Sequence, residues 1–275
     1  MPKLKALIID VDYVTRGDRA VIRLILKRKK FLRLYDPSFL PYFYVEESAS
    51  GSVVPGAFGG AVVDVQKERK VIGGQEKEML KVLCRHPRDV SILREALRSY
   101  GVYEHQIAFG RRYLIDKELV PMNAVEIERE GKKVMSIKDA GDISTELNTL
   151  VFDIETYNPA GMPRENKDPA IIITHASPDG TAGALTWRPT NVKGAEIVGS
   201  EREMIERFCS IIRERDIELI VGYNSSAFDI PYLMARAIAN DITLGIGRNG
   251  KEPSLRKHGL TSEASIEGRV HFDAY

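Results

Sequence analysis

The stretch Leu150-Val151-Phe152-Asp153-Ile154-Glu155-Thr156 constrains this chain more than any other. Leu150, Val151, Phe152 and Ile154 read as a buried β-strand, yet the strand carries two carboxylates at i and i+2. Strand side chains alternate between faces, so Asp153 and Glu155 project the same way from adjacent pleats. Like charges side by side on a mostly buried strand repel each other and lose hydration unless a cation or hydrogen-bond donors compensate. A divalent cation of the Mg²⁺ or Mn²⁺ type, which takes hard oxygen ligands, would compensate. The alternative is an exposed strand end with a solvated pair, and a lone D-x-E does not separate the two.

A second constellation bears on that choice. Glu218-Leu219-Ile220-Val221 reads as another strand, running into the polar turn Tyr223-Asn224-Ser225-Ser226-Ala227-Phe228 and then a helix with Asp229 in its first residues. This supplies one more carboxylate and an amide at the C-terminal end of a strand, where open α/β sheets keep their sites. F-D-I-E-T followed by Y-N-x-x-x-F-D-x-P-Y-L resembles the first and second exonuclease motifs of the family B DNA polymerases, archaeal type. The resemblance continues through Arg112-Tyr113-Leu114-Ile115-Asp116-Lys117, Ser200-Glu201-Arg202-Glu203-Met204-Ile205 and Gly268-Arg269-Val270-His271-Phe272-Asp273, and it covers nearly the whole chain.

With the element pattern, the resemblance implies an α+β N-terminal domain over 1–122 and a connecting hairpin over 123–149. A truncated α/β ribonuclease-H-like 3′–5′ exonuclease domain then fills 150–275. Asp153, Glu155 and Asp229 would ligate two Mg²⁺ or Mn²⁺ ions. Asn224 and Phe228 would help hold the 3′-terminal nucleotide, and Thr156 would contact the same terminus. The implied reaction is metal-assisted hydrolysis of a phosphodiester. The family's third motif, Tyr-x-x-x-Asp, does not occur after Asp229. The chain is therefore expected to be an N-terminal polymerase fragment with an incomplete metal site and weak or no nuclease activity alone. The implied partners are single-stranded template DNA, uracil-containing DNA, the remainder of the polymerase and, through that remainder, a sliding clamp.

In archaeal members the N-terminal domain captures uracil in the template strand. The matching positions are Tyr13, Pro41, Tyr42, Pro87, Val90, Ile107, Phe109 and Arg112. Prolines and aromatics would build a rigid, dry slot, backbone groups would read the flipped base edge, and shape would exclude the thymine methyl. The same residue types also make the core of any small domain, so by themselves they leave the slot open. Arg112, with Arg111 beside it, would hold a phosphate or brace the loop. Where the family often has a proline after the isoleucine, this chain has Ala108.

A chain of 275 residues suits two domains. Its 40 Lys and Arg against 39 Asp and Glu leave a net charge of +1, so any DNA contact must come from local patches. Asp10 and Asp12 repeat the acidic spacing without a partner constellation and read as structural; Lys27-Arg28-Lys29-Lys30 reads as a solvated hairpin tip or a phosphate contact. Cys84 and Cys209 fit buried free thiols in a reducing compartment. Without a signal peptide or an apolar run of membrane-spanning length, the expected location is cytoplasmic, at the nucleoid, with no membrane contact. Two other readings stay open: a stand-alone metal-dependent exonuclease, and a non-catalytic nucleic-acid-binding protein derived from a polymerase.

Period-two patterning predicts strands over 4–14, 20–27, 78–85 and 103–115. Val90, Leu93 and Leu97 predict an amphipathic helix after Pro87, and Ser200 with Glu203 predicts a capping box opening a second one.

Overall fold

Alternating apolar residues in the first half of the chain close a barrel rather than an open sheet. The computed structural model describes residues 3–141, 146–258 and 261–275, excluding the side chains of 256–258 and 261. The chain forms two compact units, Met1–Ile143 and Ser144–Tyr275.

In the first unit β1 (Lys3–Arg16) turns through Gly17 into β2 (Arg19–Lys27), and β3 (Phe31–Asp36) follows. Next come β4 (Tyr42–Glu46), a single helical turn α1 (Ala57–Gly60), β5 (Val62–Ile72), β6 (Gln75–Cys84), α2 (Pro87–Ala96) and β7 (Val102–Tyr103). The unit ends with α3 (Phe109–Asp116), β8 (Ala124–Glu130) and β9 (Lys133–Asp139). The barrel order is β1-β2-β3-β9-β8, with β3 and β9 parallel and the other neighbours antiparallel. The helix between the third and fourth barrel strands plugs the interior: Phe109 and Tyr113 join Ile8, Ile22, Leu24, Leu34, Val125 and Ile127 in one core. A five-stranded barrel with this order and helix position is of the oligonucleotide-binding (OB) type. Between β3 and α3 sits a second sheet, β5-β6-β4-β7, on which α2 packs Val90, Leu93 and Leu97 against Phe43, Val45 and Val82.

The strand predicted over 103–115 is a correction. Only Val102 and Tyr103 are extended, and Phe109, Arg112 and Tyr113 lie on one buried face of α3 at helical spacing. The hairpin expected as a connector over 123–149 contributes β8 and β9 to the barrel; its residues 142–145 lie outside the described residues. Asp12 is structural, taking Nε of Arg23 at 2.8 Å.

The second unit contains β10 (Thr149–Thr156), β11 (Ala170–Ala176), β12 (Ala182–Thr186), β13 (Ala195–Ile197), α4 (Glu201–Glu214), β14 (Leu219–Gly222) and α5 (Asp229–Ala239). A hairpin, β15 (Ser254–His258) with β16 (Thr261–Ser265), precedes β17 (Val270–Asp273). The main sheet has the order β13-β12-β11-β10-β14-β17, with β10, β14 and β17 parallel, a mixed sheet of the expected ribonuclease-H-like kind. Both helices feed one core: Met204, Ile205, Phe208 and Ile212 from α4, and Ile230, Leu233 and Ala237 from α5, surround Phe152, Ile154 and Ile220. Ser200 caps α4 by accepting the Glu203 N–H, but Glu203 reaches the Gly199 N–H rather than that of Ser200, so the reciprocal box is not closed. Cys84 and Cys209 are buried free thiols. Among the described residues no helix is long and apolar enough to cross a membrane.

Candidate functional site

The pleat of β10 sorts its residues cleanly. Leu150, Phe152 and Ile154 are buried, while Asp153 and Glu155 face solvent together. The strand pair is therefore exposed, not mostly buried, and the electrostatic burden falls elsewhere. It falls on Asp229, only 2 % exposed, whose Oδ1 accepts the Ile154 N–H at 3.2 Å. Burial, and after it the adjacent charge of Asp153, raise the Asp229 carboxyl from 3.8 to about 6.

Local chemistry explains why Asp229 arrives there. β14 ends at Gly222, where any Cβ would lie 2.5 Å from that of Ser225, so the chain turns tightly only because the residue is glycine. Asn224 then takes a left-handed conformation at φ +56, which asparagine tolerates better than most residues. Its carbonyl accepts the Phe228 N–H at 3.0 Å, and the Ser225 carbonyl accepts that of Ile230 at 3.0 Å, which starts α5 with Asp229 as its first residue.

Partners that sequence spacing does not reveal hold this turn. The Ala264 carbonyl can only accept, so His271 carries its proton on Nδ1 (3.0 Å) and accepts the Ser225 hydroxyl at Nε2 (2.9 Å). Burial lowers the His271 pKa, in keeping with a neutral ring. Asp273 accepts the Ser226 N–H at 2.8 Å and the Tyr275 N–H at 3.2 Å; burial opposes its ionisation, but these backbone donors hold it below the ordinary range. Deeper, Arg236 of α5 donates to both oxygens of Glu201 on α4 at 2.8 and 2.6 Å, and Glu201 also accepts the Ala170 N–H. The G-R-V-H-F-D run was visible in the sequence, but its role as a brace depends on β17 pairing with β14.

Asp229 accepts the Ile154 N–H of β10, which sets its carboxyl beside the strand that carries Asp153, and Glu155 lies one pleat along the same face as Asp153. Thr156 ends the strand half-buried; Asn224 and Phe228 are half-buried in the turn, with the Phe228 ring 5.4 Å from that of Tyr232. Among the described residues, no group of three or more His, Cys, Asp or Glu is gathered closely enough to hold a metal ion. The donor chemistry nonetheless fits a hard divalent cation: all the donors are oxygens, and one carboxylate is buried beside an acidic strand face.

In the first unit the eight expected slot residues fall into linked sets. Tyr13, 39 % exposed, meets Phe109 edge-on at 5.7 Å; Phe39 stacks on Phe109 and meets Tyr42. Arg112 is buried, with its guanidinium 4.6 Å from the Tyr42 ring centre and Nη1 donating to Glu104 at 2.7 Å. It thus braces the 104–109 loop, on which Ile107 is half-buried. Pro41 offers its carbonyl to the Cys84 N–H, Pro87 opens α2 behind the His86 cap, and Val90 lies in the core beneath that helix.

The comparisons agree with this architecture. The profile of the DNA polymerase family B exonuclease domain matches residues 100–275. The chain is 35 % identical to a DNA polymerase of Pyrococcus glycovorans and 36 % identical to DNA polymerase 1 of Pyrococcus abyssi, each over 98 % of this chain and 34 % of the relative. A solved family B DNA polymerase from the archaeon Pyrobaculum calidifontis superposes with a TM-score of 0.79 at 28 % identity, over 99 % of this chain and 37 % of that one. The chain thus spans about a third of the length of these relatives. With the motif turn, the paired carboxylates and these matches in agreement, the chain belongs to the family B DNA polymerases, matching their N-terminal and exonuclease region.

Proposed function

We propose that this chain is the part of a family B DNA polymerase that binds single-stranded template DNA and contributes the carboxylates of a 3′–5′ proofreading exonuclease. The hydrogen bond from the Ile154 N–H of the carboxylate strand to the buried Asp229, residues far apart in sequence, carries this reading. Asp153, Glu155 and Asp229 would hold Mg²⁺ or Mn²⁺. When bound, such ions activate water for attack on a phosphodiester and stabilise the leaving oxygen. Thr156, next to Glu155 on the strand, and Asn224 and Phe228, in the turn that leads to Asp229, would position the 3′-terminal nucleotide. DNA synthesis and any sliding-clamp contact belong, on this reading, to the rest of a longer polymerase. Calorimetric titration with Mn²⁺ tests the site: wild type binds and Asp153→Ala does not. Identical isotherms would reject the assignment. Trimming of a 3′-labelled single strand in Mn²⁺, lost in the same variant, would extend the result to catalysis.

A second reading has its own support. The ring chain Tyr13–Phe109–Phe39–Tyr42, closed by Arg112, is rigid and already paired, as a reader of a flipped uracil requires. Fluorescence anisotropy should give at least tenfold preference, about 1.4 kcal/mol, for a strand with one uracil over the thymine strand. Val90→Gln should abolish it. Equal binding by wild type would eliminate the slot.

A further inference from the structure

The barrel topology points to a surface that neither the carboxylates nor the uracil slot uses. In OB-type barrels oligonucleotides lie on the second and third strands and on the loops joining strands one to two and four to five. Here the outward residues of β2 cannot serve, because Val21, Arg23 and Ile25 are all buried. The two loops are different. The first is Arg16-Gly17-Asp18-Arg19, and the second is Arg129-Glu130-Gly131-Lys132-Lys133.

Register brings them to one end of the barrel. Arg16 pairs with Arg19 across the β1–β2 turn. Tyr35 of β3 pairs with Lys133, and its N–H donates to the Lys132 carbonyl at 2.9 Å. The Arg16 guanidinium lies 4.3 Å from the centre of the half-buried Tyr35 ring, tying the first loop to the second. Arg16, Arg19, Lys132 and Lys133 are all exposed. Of the acidic residues on these loops, Asp18 is already engaged by Arg85 at 2.7 Å, which leaves Glu130. The result is a cationic end built over an aromatic ring, in a chain whose net charge is only +1.

The expected slot is adjacent. Thr15 and His86 share a hydrogen bond of 3.0 Å, and His86 packs edge-on against Tyr13 at 5.5 Å just before Pro87. A strand whose base enters between Tyr13 and the start of α2 therefore has its flanking backbone beside Arg16 and Arg19.

We propose that this end of the barrel, through Arg16, Arg19, Lys132 and Lys133, is a phosphate-tracking site for the single-stranded DNA that flanks the base-reading slot. The proposal deepens the template-binding reading and rests on it, but it does not require uracil preference. The contacts are to the backbone and so carry no sequence information.

The test is anisotropy of the full chain with uracil and thymine strands over a salt series, for wild type, the quadruple variant R16Q/R19Q/K132Q/K133Q and the charge-keeping R16K/R19K. Each phosphate contact contributes about 0.7 to the slope of log affinity against log salt for single strands. The quadruple variant should lose at least tenfold in affinity for both strands and about 2 to 3 in slope, with R16K/R19K near wild type. Unchanged slope and affinity in a quadruple variant with wild-type melting would overturn the proposal while leaving the slot intact. Loss of affinity in the quadruple variant without any uracil preference in wild type would support it and remove the slot. No binding of either strand by wild type would overturn both.

Discussion

The two candidate regions solve opposite electrostatic problems. In the first unit the charges at the aromatic face are already matched: Arg112 is held by Glu104 and the Tyr42 ring, and the Tyr42 hydroxyl donates to Asp116 at 2.6 Å. In the second unit Asp229 is buried near another carboxylate, with the backbone N–H groups of Ile154 and of Asp229 itself as its donors. One region is finished in the sense that its charges are paired before any ligand arrives, with the buried Arg112 Nε left without a partner, and in the other a buried carboxylate is left near a second one. On the proposed reading, the difference teaches that a slot reading a base by shape is packed in advance, whereas carboxylates meant for a cation are left to repel each other until it binds.

The largest expected effect would break the finished side. Arg112→Ala removes a buried side chain packed on the Tyr42 ring and leaves a cavity there, while the exposed Glu104 is solvated, and it should destabilise the first unit by about 2–4 kcal/mol in urea unfolding. The unfinished side should respond with the reverse sign. Because the folded chain raises the Asp229 pKa, Asp229 contributes most below about pH 4 and its contribution is lost as pH rises through about 6. Asp229→Asn should therefore stabilise the metal-free protein by ~1–3 kcal/mol at pH 7–8 and leave it unchanged near pH 3.5. A destabilised Asp229→Asn at pH 8 would contradict the stored repulsion. Smaller still, Mn²⁺ at ten times its dissociation constant should add about 1.4 kcal/mol to wild type and nothing to Asp153→Ala, by mass action. Last, Ser225→Ala removes one hydrogen bond to His271 and should cost about 1 kcal/mol in thermal unfolding, with Mn²⁺ binding retained. Loss of Mn²⁺ binding there would make the turn part of the site rather than its support.

How much of this was legible depends on the range of the interaction. The same-face placement of Asp153 and Glu155 follows from period-two geometry and needs no tertiary information. The motif turn was equally local, since glycine at 222 and asparagine at 224 advertise a tight, left-handed bend. The exposure of that strand face was not legible, because apolar residues at Leu150, Val151 and Phe152 look the same whether one or both sides are covered. The helix at Phe109 was misread as strand because Ala108 offers no capping side chain and the aromatics favour strands in isolation; its i, i+3, i+4 spacing was the available signal. The barrel itself was hidden, because its closure joins Lys3 to Glu128.

That closure also sets a timetable. The first strand emerges from synthesis long before β8 exists to pair with it, while the inserted sheet β4–β7 and its helix can form from neighbouring segments. Long-range pairing is slow because loop entropy must be overcome before contacts reward it. The barrel, and with it the cationic end at Arg16 and Lys133, is therefore the last part of the first unit to exist, so the proposed phosphate-tracking site is complete only once β9 has been made.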